Sequence, residues 1–323
     1  MLRGRGCEAY GTFRGRVPAN TTSRVATLLV NPAARGVSET FDGGRVLRYL
    51  AKNGITARLV APSSPEDASL AARESADRGD DLLFTVGGDG TVRDAALGLR
   101  DSPTALAALP AGTVNIWATE AGIPRRLRAA LDAHINGQIV PIDLGLADGR
   151  CFLLMAGIGW DAQIAHQVSI RMKRVLGDLA YVVQAAWMAP RLRTRLVTWR
   201  SGAELVKQPL AWMVLGNTRL YGGKLQLTPA ATIDDGLLDL VALCPPTFAD
   251  CLRLGARVAL SRAHDDRHII EGRTAELRVD TPGLAVQLDG DYAGETPMTF
   301  SVAPRALRVS VPAGQLSAIF HER

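Results

Sequence analysis

The sequence predicts an α/β domain with a mostly parallel sheet, followed by an antiparallel β-sandwich domain. Up to Gly137, short apolar strands alternate with helices, a spacing typical of a parallel sheet covered by helices on both faces. From Ile139 onward, short β-like runs separated by Gly- and Asp-containing turns dominate, which favours an antiparallel architecture. A length of 323 residues is sufficient for two domains.

Local signals place the elements of the α/β domain. Gly54 stops the first helix, and Ser64 with Pro65 begins the second as N-cap and first helical residue. In chain order the predicted elements are a strand at Arg24–Val30, a helix at about Ser38–Asn53, a strand at Ile55–Val60, a helix from Ser64 to about Arg78, a strand from Leu82, a strand at Thr104–Leu109 and a helix from Pro124 to Gly137.

The second domain is predicted from apolar runs separated by turns. The runs are Ile139–Leu146, Cys151–Ile158, Leu196–Trp199, Leu210–Leu215, Leu237–Leu243, Ala275–Val279, Leu284–Leu288 and Leu307–Val311. Two helical segments, at about 162–188 and 248–262, interrupt them. We therefore predict a disordered tail at 1–23, an α/β domain at 24–142 and a β-sandwich at 143–307, with a strand within about 308–323 as a candidate to return to the first domain.

A glycine-rich turn follows the central predicted strand. It reads Gly87-Gly88-Asp89-Gly90-Thr91 and leads directly into a helix. A strand, a glycine turn and a helix N-terminus together make an anion site, because unpaired N–H groups and the helix dipole favour negative charge. The ligand implied is a phosphate. Asp89 would repel a bare phosphate, which suggests Mg²⁺ or a hydroxyl beside it; a tight turn without ligand is the alternative.

Three loops of this domain are expected to meet. They are Asn31–Gly36, Gly87–Thr91 and Ala111–Asn115, and each follows a predicted strand. Ligands of open α/β sheets bind beyond the carboxyl ends of the strands. All three loops are rich in small residues or in Thr and Asn, so the sequence predicts one phosphate-binding edge built from them.

Acidic side chains in turns of the second half are candidates for catalysis or metal binding. Asp289-Gly290-Asp291 could hold Mg²⁺ or supply a general base, although Asp-Gly is also the commonest hairpin signal, which local sequence alone favours. Thr232–Gly236 is either a cation site or a turn. Asp143 lies in an apolar strand and is either functional or structurally hydrogen-bonded. His264 and His268 have helical metal-binding spacing, but a polar surface turn is the better interpretation.

Composition limits the classes of partner. The formal charge of +5 and the pI of about 9.3 indicate an anionic partner, such as a nucleotide or an anionic lipid surface. Aromatic residues make up only 5%, so we expect no nucleic-acid binding. The four cysteines are scattered, which fits a reducing cytosol, and no apolar run reaches the roughly 20 residues of a membrane span. Basic residues among apolar ones in 170–199 predict either a membrane-facing surface or a packed helix pair.

Several segments together resemble a known family. Leu83–Asp94 is similar to the signature of the diacylglycerol kinase catalytic domain family, which includes bacterial soluble lipid kinases, sphingosine kinases and ceramide kinases. The glycine turn alone would also fit NAD kinases and phosphofructokinases. Other segments resemble the family in the same order, from about residue 24 to the end: Asn31–Ala34, Leu109–Asn115, Ile142–Gly145, Ala156–Ala162, Gly216-Asn217, Tyr221–Gly223, Ala231–Asp239 and Leu288–Asp291.

The resemblance implies a nucleotide domain related to those of NAD kinases and diacylglycerol kinases, and a cleft that holds ATP and an acceptor hydroxyl. Asp289 and Asp291 become candidates for the general base and its support. Asp235 would bind Mg²⁺ with backbone oxygens near Thr232 and Leu237. The implied ATP-binding residues are Asn31, Pro32, Ala33, Ala34, Arg35, Gly87, Gly88, Asp89, Gly90, Thr91, Val92, Arg93, Asp94, Gly112, Thr113 and Asn115.

Three positions depart from the family pattern. Ile116 stands where many diacylglycerol kinases carry Asp, Asp291 replaces the usual Glu, and Pro62 replaces a threonine before the second helix. The expected activity is Mg²⁺-dependent phosphorylation of diacylglycerol or a related lipid by ATP, in the cytoplasm at a membrane surface, with a homodimer as one possible state. A kinase of a soluble acceptor and a non-catalytic nucleotide- or lipid-binding regulator are the alternatives.

Overall fold

The computed structural model describes residues 24–37, 41–160, 162, 194–223, 225–245, 250 and 266–321. The first domain alternates strands and helices as predicted. Its elements are β1 (Arg24–Val30), α1 (Gly43–Lys52), β2 (Ile55–Val60), α2 (Pro65–Asp77), β3 (Leu82–Gly87), α3 (Asp89–Leu99), β4 (Ala105–Pro110), α4 (Ile116–Glu120) and α5 (Leu127–Ile135).

The remaining described elements are strands. They are β5 (Gln138–Ala147), β6 (Arg150–Phe152), β7 (Met155–Gly159), β8 (Arg195–Ser201), β9 (Glu204–Leu210), β10 (Trp212–Gly216), β11 (Leu220–Tyr221), β12 (Leu225–Gln226), β13 (Leu238–Leu243), β14 (Ile269–Thr274), β15 (Glu276–Val279), β16 (Ala285–Leu288), β17 (Asp291–Glu295) and β18 (Met298–Val311).

One sheet runs through both domains. Its main path is β2-β1-β3-β4-β18-β15-β8-β9, and the first four strands are mutually parallel. The end of β18 pairs in parallel with β4, its start pairs with β15, and β5 lies antiparallel along it. The long strand β18 therefore joins the parallel half of the sheet to the antiparallel half.

A second sheet completes the sandwich. It has the order β14-β13-β10-β7-β16-β17 and is antiparallel throughout. Along β10, Met213 and Leu215 join the core between the two sheets, whereas Trp212 and Val214 join the core continuous with the first domain. This alternation follows from the two-residue period of a strand. The central strand β10 is therefore buried on both faces. The predicted α/β domain with a β-sandwich is confirmed.

Several predicted boundaries were wrong. The first helix begins at Gly43 rather than Ser38, because the Asp42 carboxylate accepts a hydrogen bond from Arg45 N and caps it there. Arg126 has extended backbone, so α5 begins at Leu127 rather than Pro124. The predicted run Cys151–Ile158 is split into β6 and β7, which belong to different sheets.

Long-range pairing accounts for what local patterns missed. The strands β9 and β14 were not predicted, and β18 begins at Met298 rather than Leu307. The tail 1–23, the basic segment from 170 to 193, His264 and nearly all of the two predicted helical segments lie outside the described residues. His268 lies within the described residues, and its Nδ1 is 3.4 Å from Asp266 Oδ1.

Candidate active site

The predicted phosphate-binding loops meet at the carboxyl ends of β1, β3 and β4. Asn31 N donates to Val86 O at 3.0 Å, and Asn31 Nδ2 donates to Thr91 Oγ1 at 2.8 Å. The Asn31 side chain also accepts a hydrogen bond from Ala33 N at 2.9 Å, which closes its own loop. A single asparagine thus connects the loop after β1 with the first turn of α3.

Backbone contacts join the third loop to the other two. Gly36 N donates to Ala111 O and Ala111 N donates to Gly87 O, each at 2.8 Å. A Cβ on Gly112 would lie 2.6 Å from the Cα of Gly88, and one on Gly36 would lie 2.5 Å from Ala111 O. Such approaches are too close for any side chain, so glycine is required where these loops touch. The three loops form one continuous surface.

The N-terminus of α3 lies on this surface. Gly88 is its N-cap and supplies no side-chain hydrogen bond, and a Cβ on Gly90 would meet nothing within 4 Å. The first amide groups of a helix lack intrahelical acceptors and attract anions. The geometry therefore suits a phosphate approaching the backbone of Gly88 to Thr91.

The Asp89 side chain points away from the place where a phosphate would meet these amides. Its two carboxylate oxygens accept hydrogen bonds from Ile116 N and Trp117 N, each at 3.0 Å. The acid thus holds the start of α4 against the glycine turn, and the backbone amide of Ile116 takes part although its side chain departs from the family pattern. A contact of Asp89 with Mg²⁺ or a ribose hydroxyl stays a prediction.

Asn115 and Thr113 complete the third loop in different ways. Asn115 is buried, has φ of +55° and exchanges two hydrogen bonds with Gly112, at 2.8 Å and 2.7 Å. Thr113 is exposed, and its carbonyl accepts from Arg125 at 3.0 Å. Asn115 therefore shapes the loop, whereas the Thr113 side chain is accessible to a ligand.

The acidic turn between β16 and β17 is anchored by its first aspartate. The Asp289 carboxylate accepts from Leu153 N and Leu154 N at 2.8 Å and from Met155 N at 3.0 Å. Burial raises the pKa of Asp289, whereas these amides and the nearby Arg93 lower it. Both oxygens of Asp289 are turned into the protein, so this side chain holds the turn against the β6–β7 connection.

Arg93 links that turn to α3. Its guanidinium donates to Asp291 Oδ2 at 2.8 Å, to Leu288 O at 3.4 Å and to Asp94 Oδ1 at 2.9 Å. Burial opposes the charged form, but the carboxylates of Asp94 and Asp291 raise the pKa of Arg93; burial raises the pKa of Asp94. Arg93 lies four residues after Asp89, about 6 Å along the helix axis. One helical turn and the Arg93 side chain therefore connect the predicted phosphate-binding loops to the acidic turn.

Two cavities border this arrangement. One, of about 280 Å³, lies beside the third loop and is lined by residues including Gly36, Gly112 and Asn115. The other, of about 750 Å³, lies between α2, α3 and the second domain, and Arg93, Asp94 and Asp291 line it. Asp291 faces the larger cavity and its side chain is 51% exposed. The volume of the second cavity is typical of small-molecule sites.

The described geometry does not fit Mg²⁺ at Asp235. Its Oδ1 accepts from Leu237 N at 3.0 Å, and its Oδ2 pairs with Arg273. The Thr232 hydroxyl donates to Ala230 O at 3.3 Å. Within the described ranges no group of three or more His, Cys, Asp or Glu side chains is placed to hold a metal. The guanidinium of Arg273 thus lies where a cation would bind the Asp235 carboxylate.

Two other buried acids have structural partners. Asp143 accepts from Gly236 N at 2.6 Å and Arg305 N at 2.7 Å, which supports the structural interpretation of this residue. Glu120, not identified from the sequence, accepts from Arg219 N at 2.9 Å and Leu220 N at 2.6 Å. The sequence signal available for Glu120 was an acidic residue within the short apolar helix α4. The amides that donate to Glu120 are about 100 residues away along the chain. Glu120 thus ties the first domain to the β10–β11 connection.

A separate finding concerns membranes. In the part of the chain that the structure describes, no helix combines the length and apolar character needed to cross a bilayer.

Comparisons with known proteins agree with the described architecture. Residues 25–147 match the model of the diacylglycerol kinase catalytic domain, and residues 155–311 match that of the YegS C-terminal NAD kinase beta sandwich-like domain. The chain is 33% identical over 292 residues to a diacylglycerol kinase of Bacillus subtilis, covering 89% of this chain and 96% of that one.

Other relatives point the same way. A probable YegS-like lipid kinase of Pseudomonas aeruginosa is 34% identical over 252 residues, covering 77% of this chain and 82% of the relative. A crystal structure of a putative diacylglycerol kinase from Bacillus anthracis has a TM-score of 0.79 at 21% identity, covering 93% of this chain and 98% of that chain. At that identity the structural likeness concerns the fold.

Proposed function

The chain belongs to the diacylglycerol kinase catalytic domain family, and on that premise we propose that it transfers the γ-phosphoryl group of MgATP to a hydroxyl of diacylglycerol or a related lipid. Membership of a lipid kinase family implies ATP use. The lipid acceptor and the magnesium dependence are the proposed parts. Mg²⁺ enters here with the nucleotide, as part of the substrate.

One observation carries the proposal. The N-terminal amides of α3 lie about one helical turn from Arg93, which contacts the acidic turn of the other domain. Phosphoryl transfer needs this combination, because the phosphates must be held by fixed donors while a carboxylate receives the proton of the attacking hydroxyl.

We assign the two acids different roles. Asp289 is the support, because its carboxylate is committed to three backbone amides. Asp291 is the base, because it lines the larger cavity and is half exposed. A carboxylate is a weak base toward an alcohol, so it accepts the proton late, when the new bond to phosphorus is already forming. Positioning and electrostatic stabilisation supply most of the acceleration.

The test is phosphorylation of a panel of hydroxyl lipids in vesicles with labelled ATP, with NAD and sugar phosphates as soluble acceptors. We expect lipid turnover that Asp291→Asn lowers about 100-fold or more, the usual contribution of a general base. Asp77→Asn, at the exposed end of α2, is the matched control. Turnover of a soluble acceptor in the absence of vesicles would show that this compound, rather than a lipid, is the substrate. ATP binding without turnover on the whole panel would favour the regulator.

Attachment to a membrane surface is a second proposal. The described hairpin of β8 and β9 exposes Leu196 and Leu205 (55% and 60% exposed) on the face that also carries Arg200 and Lys207. Leucines with neighbouring cations suit an anionic lipid interface. We expect sedimentation with anionic vesicles to exceed that with neutral vesicles, and Leu196→Ser with Leu205→Ser to reduce it. Equal binding by the double variant would contradict this surface.

A further inference from the structure

The guanidinium of Arg93 connects α3 to the acidic turn. Arg93 comes from the nucleotide domain, and Asp291 and Leu288 belong to the second domain. The Arg93 side chain is 18% exposed, and Asp94 fixes its orientation through two hydrogen bonds. Charge-assisted hydrogen bonds of this kind are about twice as strong as neutral ones. Arg93 is therefore held rigidly while it contacts the turn.

The position of the turn depends on such a contact. The covalent joint between the domains lies in the first sheet, through β5 and β18, whereas the acidic turn lies at the tip of the β16–β17 hairpin in the second sheet. Asp289 ties this tip to the β6–β7 connection, and Arg100, at the C-terminal end of α3, contacts Cys151 of β6 at 3.6 Å. Arg93 adds a direct contact between the tip and the first turns of α3, close to the end proposed to hold the phosphates.

We infer that Arg93 is a positioning residue that sets the distance between the base Asp291 and the phosphates held at the N-terminus of α3, rather than a ligand of ATP. This inference rests on the proposed function for its kinetic consequence. The reacting groups must be placed within about 1 Å, because a misplacement of that size costs about 100-fold in rate. Asp291 is one methylene shorter than glutamate, and Arg93 supplies a partner that fixes this shorter side chain.

The experiment compares Arg93→Met, Arg93→Lys and Arg48→Met. Arg48 forms an exposed ion pair with Asp42 on α1 and is the matched control for loss of an arginine. We expect Arg93→Met to lower kcat about 10- to 100-fold while KM for ATP changes less than about threefold. Arg93→Lys keeps the charge but not the fork of donors, so it should recover part of kcat.

A second readout does not need turnover. Hydrogen exchange of the backbone from 287 to 292 should be faster in Arg93→Met than in the wild type and the control, because the turn loses its contact with α3. If the wild type turns over no acceptor, the proposed function fails, and hydrogen exchange still decides whether Arg93 holds the turn. A higher KM for ATP at unchanged kcat, or unchanged exchange in the turn, would overturn the inference.

Discussion

The two sides of the candidate active site are built in different ways. The predicted phosphate-binding loops are joined by backbone hydrogen bonds, and glycines let them touch. The acidic turn is held by side chains: Asp289 binds the β6–β7 connection, and Arg93 reaches from α3. The first side needs glycines where its loops touch, and uncharged Asn31 and Asn115 add hydrogen bonds to it. The second side depends on the charged side chains of Asp289 and Arg93. Substitutions should therefore affect the two sides by different mechanisms.

The largest effect is expected on the glycine side. Gly112→Ala places a Cβ 2.6 Å from the Cα of Gly88, so the second and third loops must separate. We expect ATP turnover to fall by about 100-fold or more, because the phosphate donors move by about 1 Å. Gly272→Ala in β14, where a Cβ has its nearest neighbour at 4.0 Å, is the control. Equal steady-state kinetics of the two variants would show that the loop contact is dispensable.

A buried histidine behind the loops, His134, should make the stability of the fold depend on pH. His134 is buried, contacts Ala108 O at 2.9 Å and Ser310 Oγ at 3.1 Å, and burial lowers its pKa from 6.5 to about 4. The unfolded chain therefore binds more protons between pH 4 and 6.5, so the free energy of unfolding should rise with pH across that window, by about 3 kcal/mol from this residue.

Urea unfolding at several pH values checks this prediction. His134→Gln should reduce the dependence on pH, whereas His321→Gln, an exposed histidine, should leave it unchanged. A wild-type curve that stays flat from pH 4 to 6.5 would contradict the role of His134.

The contribution of Asp289 to the free energy of unfolding should change with pH in the opposite direction to that of His134. Because burial raises the pKa of Asp289 above the ordinary value of 3.8, the folded chain holds a proton there at a pH where the unfolded chain has lost it. The contribution of Asp289 to the free energy of unfolding therefore falls as pH rises above 3.8.

At neutral pH, Asp289→Asn exchanges a charged acceptor of three amides for a weaker one that also brings a donor. We expect this variant to lose about 2 kcal/mol of unfolding free energy in urea. Asp77→Asn, on the surface, should change it little. A neutral effect of Asp289→Asn would mean that the turn does not depend on this anchor.

The smallest effect is expected at Asp235. The Asp235 carboxylate pairs with Arg273 and accepts a hydrogen bond from Leu237 N. Asp235→Asn should therefore leave the magnesium concentration for half-maximal activity within about twofold of the wild type. Arg273→Met is measured beside it, because this variant removes the cation that pairs with the Asp235 carboxylate. A tenfold increase in the magnesium requirement of Asp235→Asn would place the metal at this loop.

The sequence was informative where the signal is local. The glycine turn, the loop Ala111–Asn115 and the alternation of strands and helices are readable from neighbouring residues, and the structure brings the three loops together as predicted. The strands β9 and β14 were missed because their patterns are exposed, with polar residues on both faces. Such strands form through pairing with distant partners, which a local pattern does not contain.

By itself the sequence determined the fold class and the three loops that meet at one edge of the sheet, since apolar periodicity and glycine spacing are properties of contiguous residues. The order of its motifs indicated the family through resemblance. Only the tertiary structure decided the direction of the charged side chains. Arg93 contacts Asp291, 198 residues away, while its predicted contact with ATP stays a prediction; Asp89 faces α4, and Asp235 faces Arg273. Whether a long charged side chain meets a ligand or an opposite charge depends on what the fold brings beside it, and burial makes that partner obligatory.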